Sequence, residues 1–110
     1  MENTLKKLER NGICLRYEDI ARICEKYHIS ELSVFGSALR DDFRDDSDVD
    51  LLIVWEDYMN KNGSWDFLYI ENDLEKLIGR DVDVVDKECI RNPIRREEIL
   101  SSYEVVYVAQ

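Results

Sequence analysis

The sequence predicts an α/β sandwich in which one sheet packs against helices. Three observations carry that expectation. Segments with apolar residues at three- and four-residue steps alternate with shorter strand-like runs, in the order helix, strand, helix, strand, helix, strand, helix, strand. The 110 residues suit one compact domain, long enough to bury roughly two-thirds of the surface its unfolded chain exposes. A hydrophobic fraction of 45% beside 36% charged residues, with only 4 glycines and 1 proline, is a globular profile rather than a disordered or fibrous one.

Each element has its own signal. Met1 to Arg10 places Leu5 and Leu8 inward on a short helix that Asn11-Gly12 breaks, so residues 1–12 read as an N-terminal helical extension of a single domain over 1–110. From Tyr17 to Tyr27, the positions Ile20, Ile23, Cys24 and Tyr27 recur at helical spacing. Leu32-Ser33-Val34-Phe35 is a short strand ending at Gly36. Ser37 to Ser47 is polar and crowded with aspartate, with Ala38, Leu39 and Arg40 able to start a short helix. Val49 and then Leu51 to Val54 are apolar on both faces, as a central strand requires. Asn60 to Gly63 is a loop, and Ser64 can cap a helix whose Phe67, Ile70, Leu74, Leu77 and Ile78 line one face. Gly79 stands where helices favour glycine at their end. Asp81 to Asp86 alternates as a strand, Pro93 opens a last helix over Ile94 to Ser101, and Glu104 to Val108 is a last strand.

Composition removes several function classes. No stretch approaches the roughly 20 apolar residues of a membrane helix, and Met1 to Arg10 lacks the apolar core of a signal peptide. With 25 acidic and 15 basic residues, the net charge of −10 offers no basic stripe for nucleic-acid binding. It serves solubility, and it suits a basic partner protein. Cys14, Cys24 and Cys89 fit no metal or redox spacing and read as buried thiols in a reducing cytoplasm. A single histidine, His28, leaves zinc sites and Ser-His-Asp chemistry without parts.

Asp48 and Asp50 sit two apart at the start of a strand, where side chains share a face at about 6.5–7 Å between Cα atoms. Two carboxylates held that close repel, and a divalent cation between them resolves the conflict. Oxygen-only ligands favour Mg²⁺ or Mn²⁺ over zinc. An isolated Asp-x-Asp also reads as a solvated strand end. Asp83, however, lies in a valine-rich strand that disfavours aspartate, and it can complete a three-carboxylate cluster if the two strands are neighbours. Asp81 shares its face and is the rival candidate; an edge-strand Asp83 facing water is the alternative. Gly36-Ser37 falls at a turn after a strand, where glycine permits close backbone approach and N–H groups opening a helix attract anions.

Gly36-Ser37-Ala38-Leu39-Arg40, followed by Ser47-Asp48-Val49-Asp50-Leu51, resembles the GS-x10-DxD signature of minimal nucleotidyltransferases in the DNA polymerase beta superfamily. Val82-Asp83-Val84-Val85 resembles that family's third-carboxylate strand, and Ile90 to Arg95 running into Ile99-Leu100 and then Glu104 to Tyr107 is similar to its usual ending. The likeness spans about Tyr17 to Val108. One departure is the run Asp41, Asp42, Asp45 and Asp46, where family members more often carry glycine, proline and basic residues.

The resemblance implies a nucleotidyltransferase fold, a small mixed sheet packed against helices. It implies transfer of a nucleoside monophosphate from ATP with two Mg²⁺ ions, or Mn²⁺. Asp48, Asp50 and Asp83 would be the catalytic, metal-binding residues, Gly36 and Ser37 the phosphate cradle, and Arg40 and Ser47 its supplements, with Arg44 a weaker candidate than Arg40. Small-molecule adenylyltransferases of this family usually carry a further helical domain for the acceptor, so a chain that stops soon after the third carboxylate suggests an acceptor on a partner. Stand-alone proteins of this size resemble the MNT antitoxins encoded beside HEPN ribonuclease toxins. Those antitoxins attach AMP to a toxin tyrosine in the cytoplasm. Two other readings compete: an enzyme acting on a small molecule, a nucleic-acid end or another protein, and an idle antitoxin that neutralises its toxin by binding alone. The aromatic residues Trp55, Tyr58 and Trp65 flank the polar loop and read as packing on the sheet rim or as an interface.

Overall fold

The computed structural model describes residues 2–40, 43–44, 46–56 and 64–109. Four helices, α1 (Glu2–Arg10), α2 (Tyr17–Tyr27), α3 (Ser64–Ile78) and α4 (Pro93–Ser102), accompany four strands, β1 (Ile29–Phe35), β2 (Val49–Trp55), β3 (Val82–Asp86) and β4 (Glu104–Val108). Short 3₁₀ turns occupy Gly36–Leu39 and Lys87–Cys89. The strands form one mixed sheet in the order β3-β2-β1-β4. β1 runs antiparallel to both β2 and β4, while β2 and β3 are parallel. The α/β expectation holds.

The sheet has two unequal covers. On one face, Leu51, Ile53 and Val84 pack with Ile20 and Cys24 of α2 and Ile70 and Leu74 of α3, all buried. Each such aliphatic side chain contributes about 1.5–3 kcal/mol on burial, so most of the apolar stabilisation lies here. On the other face, Phe35, Leu52 and Ile99 of α4 form a much smaller cluster. That thin cover leaves the N-terminal ends of β2 and β3 open on the α4 side, with Asp50 half-buried and Asp83 exposed. Pro93 at the first turn and Asn92, whose Oδ1 accepts from the N–H groups of Ile94 and Arg95, fix where α4 begins.

Several details differ from what local patterning predicts. Helix α1 is tied to the last strand by contacts distant in sequence: Leu8 is fully buried, and Thr4 Oγ1 and Lys7 Nζ donate to the Glu104 carboxylate at 2.9 and 2.8 Å. β1 starts at Ile29, three residues before the apolar run. His28 adopts the left-handed conformation (φ 58, ψ 46) at the end of α2, which turns the chain straight into the strand. Ile29 then pairs with Trp55 across a bulge, and the Ser30 hydroxyl donates to the Val54 carbonyl, so cross-strand bonding overrides the polar Ser30-Glu31 pair. Trp55 is buried, its ring edge-on to Phe67 at 5.8 Å and its Nε1 donating to Asp86 Oδ2 at 3.1 Å, which makes it a packing residue. Cysteine exposure also departs from expectation: Cys24 is buried, but Cys14 and Cys89 are exposed. No disulfide forms among them. The Asn60–Gly63 loop, Tyr58, the Ser64 cap, the Trp65 side chain and Asp41, Asp42 and Asp45 lie outside the described residues or side chains. Among the described residues no helix is long and apolar enough to cross a membrane.

Candidate active site

The site forms where β1 ends and β2 and β3 begin. In the parallel register Val49 pairs with Val82 and Asp50 with Asp83, while Val49 N–H donates to the Asp81 carbonyl at 3.0 Å. Asp83, not Asp81, therefore stands directly beside Asp50. Parallel neighbours are about 4.8 Å apart, and equal register puts both side chains on the same face. Asp48 lies just before β2 and is exposed. Asp83 is exposed on an edge strand, with water on one side and Asp50 on the other.

Gly36 sits on the opposite flank of Asp50. Its φ of +76° lies in the left-handed region, and a Cβ there would come within 2.5 Å of Asp50 Oδ2. Glycine at this position thus lets the carboxylate lie over the turn. The segment that follows is a four-residue 3₁₀ turn rather than an α-helix, so a helix dipole contributes little and any anion would be held by local N–H groups. Ser37 is half-buried in the same turn, and its carbonyl accepts from Arg40 N–H at 3.0 Å. Asn11, just after α1, donates to the carbonyls of Ala38 and Arg40 at 2.7 and 3.0 Å and locks the turn from outside.

Asp50 carries the electrostatic signature of the site. Its carboxyl is pushed above its ordinary value, first by burial, then by the charges of Asp83 and Asp48; Arg95 and Arg40 oppose the shift. Excess negative charge gathered around a partly buried carboxylate is what a hard cation relieves. Among the described residues no three His, Cys, Asp or Glu side chains already stand at metal-ligating separation. The donor chemistry still fits Mg²⁺: three carboxylates, two of them in register, one held over a glycine that leaves it room.

The loop leading to Asp48 is clamped by a residue the sequence did not single out. Arg80 lies over the Phe43 ring at 4.6 Å and donates to the carbonyls of Arg44 and Ser47 at 3.1 and 3.3 Å. Ser47 Oγ accepts from Arg44 N–H at 3.2 Å, which closes the turn and leaves the hydroxyl proton for another acceptor. Arg40 and Arg44 are exposed. Two further residues were missed. Arg95, in the first turn of α4, opposes the negative charge on Asp50 more strongly than Arg40 does. Glu71 on α3 has its carboxyl raised by burial first and then by Asp83. No local pattern marks either one, since each acts electrostatically from an element other than the one that carries the carboxylate.

A glycine–serine turn, an in-register carboxylate pair and a third carboxylate at the strand entrance define a nucleotidyl-transfer class of protein. The chain belongs to the polymerase beta nucleotidyltransferase family, whose description matches residues 18–110. Among its relatives is the protein adenylyltransferase MntA of Thermococcus cleftensis, 36% identical over 84 residues that cover 76% of this chain and 79% of that protein. The fold is shared with a toxin–antitoxin structure containing AMP-PNP (TM-score 0.67, 16% identity, 87% of this chain and 76% of that one). It is shared too with the MNT antitoxin bound to a tri-AMPylated HEPN toxin of Shewanella oneidensis (TM-score 0.60, 14% identity, 93% and 73%).

Proposed function

We propose that this protein transfers AMP from ATP, with Mg²⁺, to a tyrosine hydroxyl of a partner HEPN ribonuclease toxin in the cytoplasm and so silences it. The observation that carries the chemistry is the register that sets Asp83 beside Asp50 while Gly36 opens the other flank. The acceptor class is supported by the relative named as a protein adenylyltransferase and by the shared fold of the HEPN-bound antitoxin.

In this reading Asp48, Asp50 and Asp83 hold the metal, and Gly36 and Ser37 cradle the β- and γ-phosphates. Bound Mg²⁺ would supply Lewis-acid stabilisation of the phosphates and a lowered pKa for the attacking hydroxyl. Asp83, at the open edge, orients the acceptor hydroxyl and accepts its proton as the oxygen attacks the α-phosphorus. Arg40 offsets charge on the departing pyrophosphate, and Ser47 lends its hydroxyl proton to a phosphate oxygen. Asn11 and Arg80 keep the two site loops in place.

The test incubates the protein with labelled ATP, Mg²⁺ and a small helical HEPN partner bearing an Arg-x4-His motif, then weighs the products. AMP increments on a partner tyrosine, lost in Asp48→Ala and Asp50→Ala, are expected. A tight inhibitory complex with no increment from any nucleotide would overturn the proposal.

A further inference from the structure

A cleft of about 470 Å³ opens beside Asp83 at the β3 edge, between the strand and the start of α4. Its apolar lining includes Phe67, Val85 and Ile90; Arg91 and Arg95 also line it. Both arginines are exposed, and among the described residues neither guanidinium has an ion-pair or hydrogen-bond partner. In a chain of net charge −10, this cleft gathers two guanidiniums, one of which, Arg95, also tempers the charge on Asp50. Arg95 lies in the first turn of the capped helix α4, and Arg91 immediately precedes its Asn92 cap.

The direction of the reaction says what this cleft faces. Across the sheet the order is Asp83 on β3, Asp50 on β2 and Gly36 at the end of β1. Phosphoryl transfer places attacking and leaving oxygens roughly in line on opposite sides of the phosphorus. With pyrophosphate leaving on the Gly36 side, which is the proposed function's assignment, the nucleophile arrives from the Asp83 side. The cleft occupies that side. Its apolar lining suits an aromatic ring, and its two guanidiniums can donate to an anion beside that ring.

We propose that the cleft at the β3 edge is the acceptor site, and that Arg91 and Arg95 recognise an anionic group carried next to the acceptor's phenol. That anion has two sources of one chemistry: an acidic side chain beside the partner's tyrosine, or the phosphodiester of an AMP already attached. In the transfer step the phenol oxygen forms the new bond to the α-phosphorus, the bond to the β-phosphate oxygen breaks, pyrophosphate leaves, and the phenol proton passes to Asp83. An attached AMP in the cleft presents a ribose hydroxyl in place of the phenol, with the same balance. The inference rests on the proposed function only for the direction of attack.

The first arm needs no turnover. Phenyl phosphate, a phenol ring with an anion, is titrated into the metal-free protein and followed by amide shifts. Shifts at Val85, Arg91 and Arg95 are expected, with affinity about tenfold weaker for each of Arg91→Gln and Arg95→Gln, partly restored by lysine, and with ATP binding unchanged in Arg91→Gln. Shifts centred on Gly36 and Ser37, unchanged phenyl phosphate affinity in the variants, or an equal loss of ATP affinity in Arg91→Gln overturns the inference. The second arm follows transfer to the HEPN partner. A raised KM for the partner on the first AMP identifies an acidic side chain, whereas a reaction that stops after one AMP identifies the attached nucleotide. If neither changes, the inference fails. If wild-type protein transfers nothing, the proposed function fails and the titration still decides this one.

Discussion

Replacing Gly36 with alanine separates the two demands the structure makes on this residue. The first is backbone conformation. At φ +76° an alanine pays about 1–2 kcal/mol for the left-handed region. A 110-residue domain unfolds with an entropy of about 0.23 kcal/mol/K, so the melting temperature should fall by about 4–9 °C. The second demand is space. The new Cβ would lie 2.5 Å from Asp50 Oδ2, and ordinary contact begins near 3.4 Å, so the oxygen must retreat by about 0.9 Å. Because that oxygen is the free end of a side chain, moving it costs little stability. It costs geometry instead, and a misplacement of about 1 Å at a reacting centre lowers turnover by about 100-fold. Gly79→Ala is the matched control: its φ is +83° but nothing lies within 4 Å of the added Cβ. Thermal melts and single-turnover AMP transfer on both variants should show similar losses of stability and a loss of activity in Gly36→Ala alone. Should Gly36→Ala transfer within threefold of wild type, or Gly79→Ala lose as much activity, the link from the turn to Asp50 is wrong.

Asp50→Asn in chelator should raise stability near neutral pH while abolishing transfer, because it removes the cost of burying that charge and, second, its repulsion by Asp83 and Asp48. The sign follows from linkage: the folded carboxyl is raised, so its favourable contribution is complete below the ordinary value of 3.8 and is lost as pH rises through the raised value. Melting curves from pH 3 to pH 8 on both proteins check this; a wild type that gains on the variant with rising pH contradicts it. Trp55→Phe should cost about 1–3 kcal/mol in urea unfolding, since Asp86 Oδ2 loses its buried donor, with kcat/KM for transfer little changed. Thiol titration of the native protein should count two reactive cysteines, Cys14 and Cys89, and a third only in denaturant, as burial pushes the Cys24 thiol up to about 12. Arg80→Ala should raise KM for Mg·ATP several-fold in initial-rate assays, because the loop into Asp48 loses its clamp; an unchanged KM would show the clamp to be idle.

What the sequence determined by itself was chemistry carried by short spacing. Glycine-serine followed after ten residues by Asp-x-Asp is legible because each part answers a local rule: a turn needing glycine, and a strand whose period of two sets both carboxylates on one face. The helices over 17–27 and 64–78 were legible for the same reason, since their apolar faces repeat within a turn or two. Tertiary structure decided what depends on partners distant in the chain. The parallel register chose Asp83 over Asp81 as the neighbour of Asp50, a choice that no alternation within residues 81–86 could make because both share a face. The fold put Arg95 within electrostatic range of Asp50, set Arg80 over the Asp48 loop and bound α1 to Glu104. It also shortened the expected helix after Ser37 to a 3₁₀ turn held by Asn11 from 27 residues away. Spacing fixes which groups are available within one element; register and packing fix which of them meet.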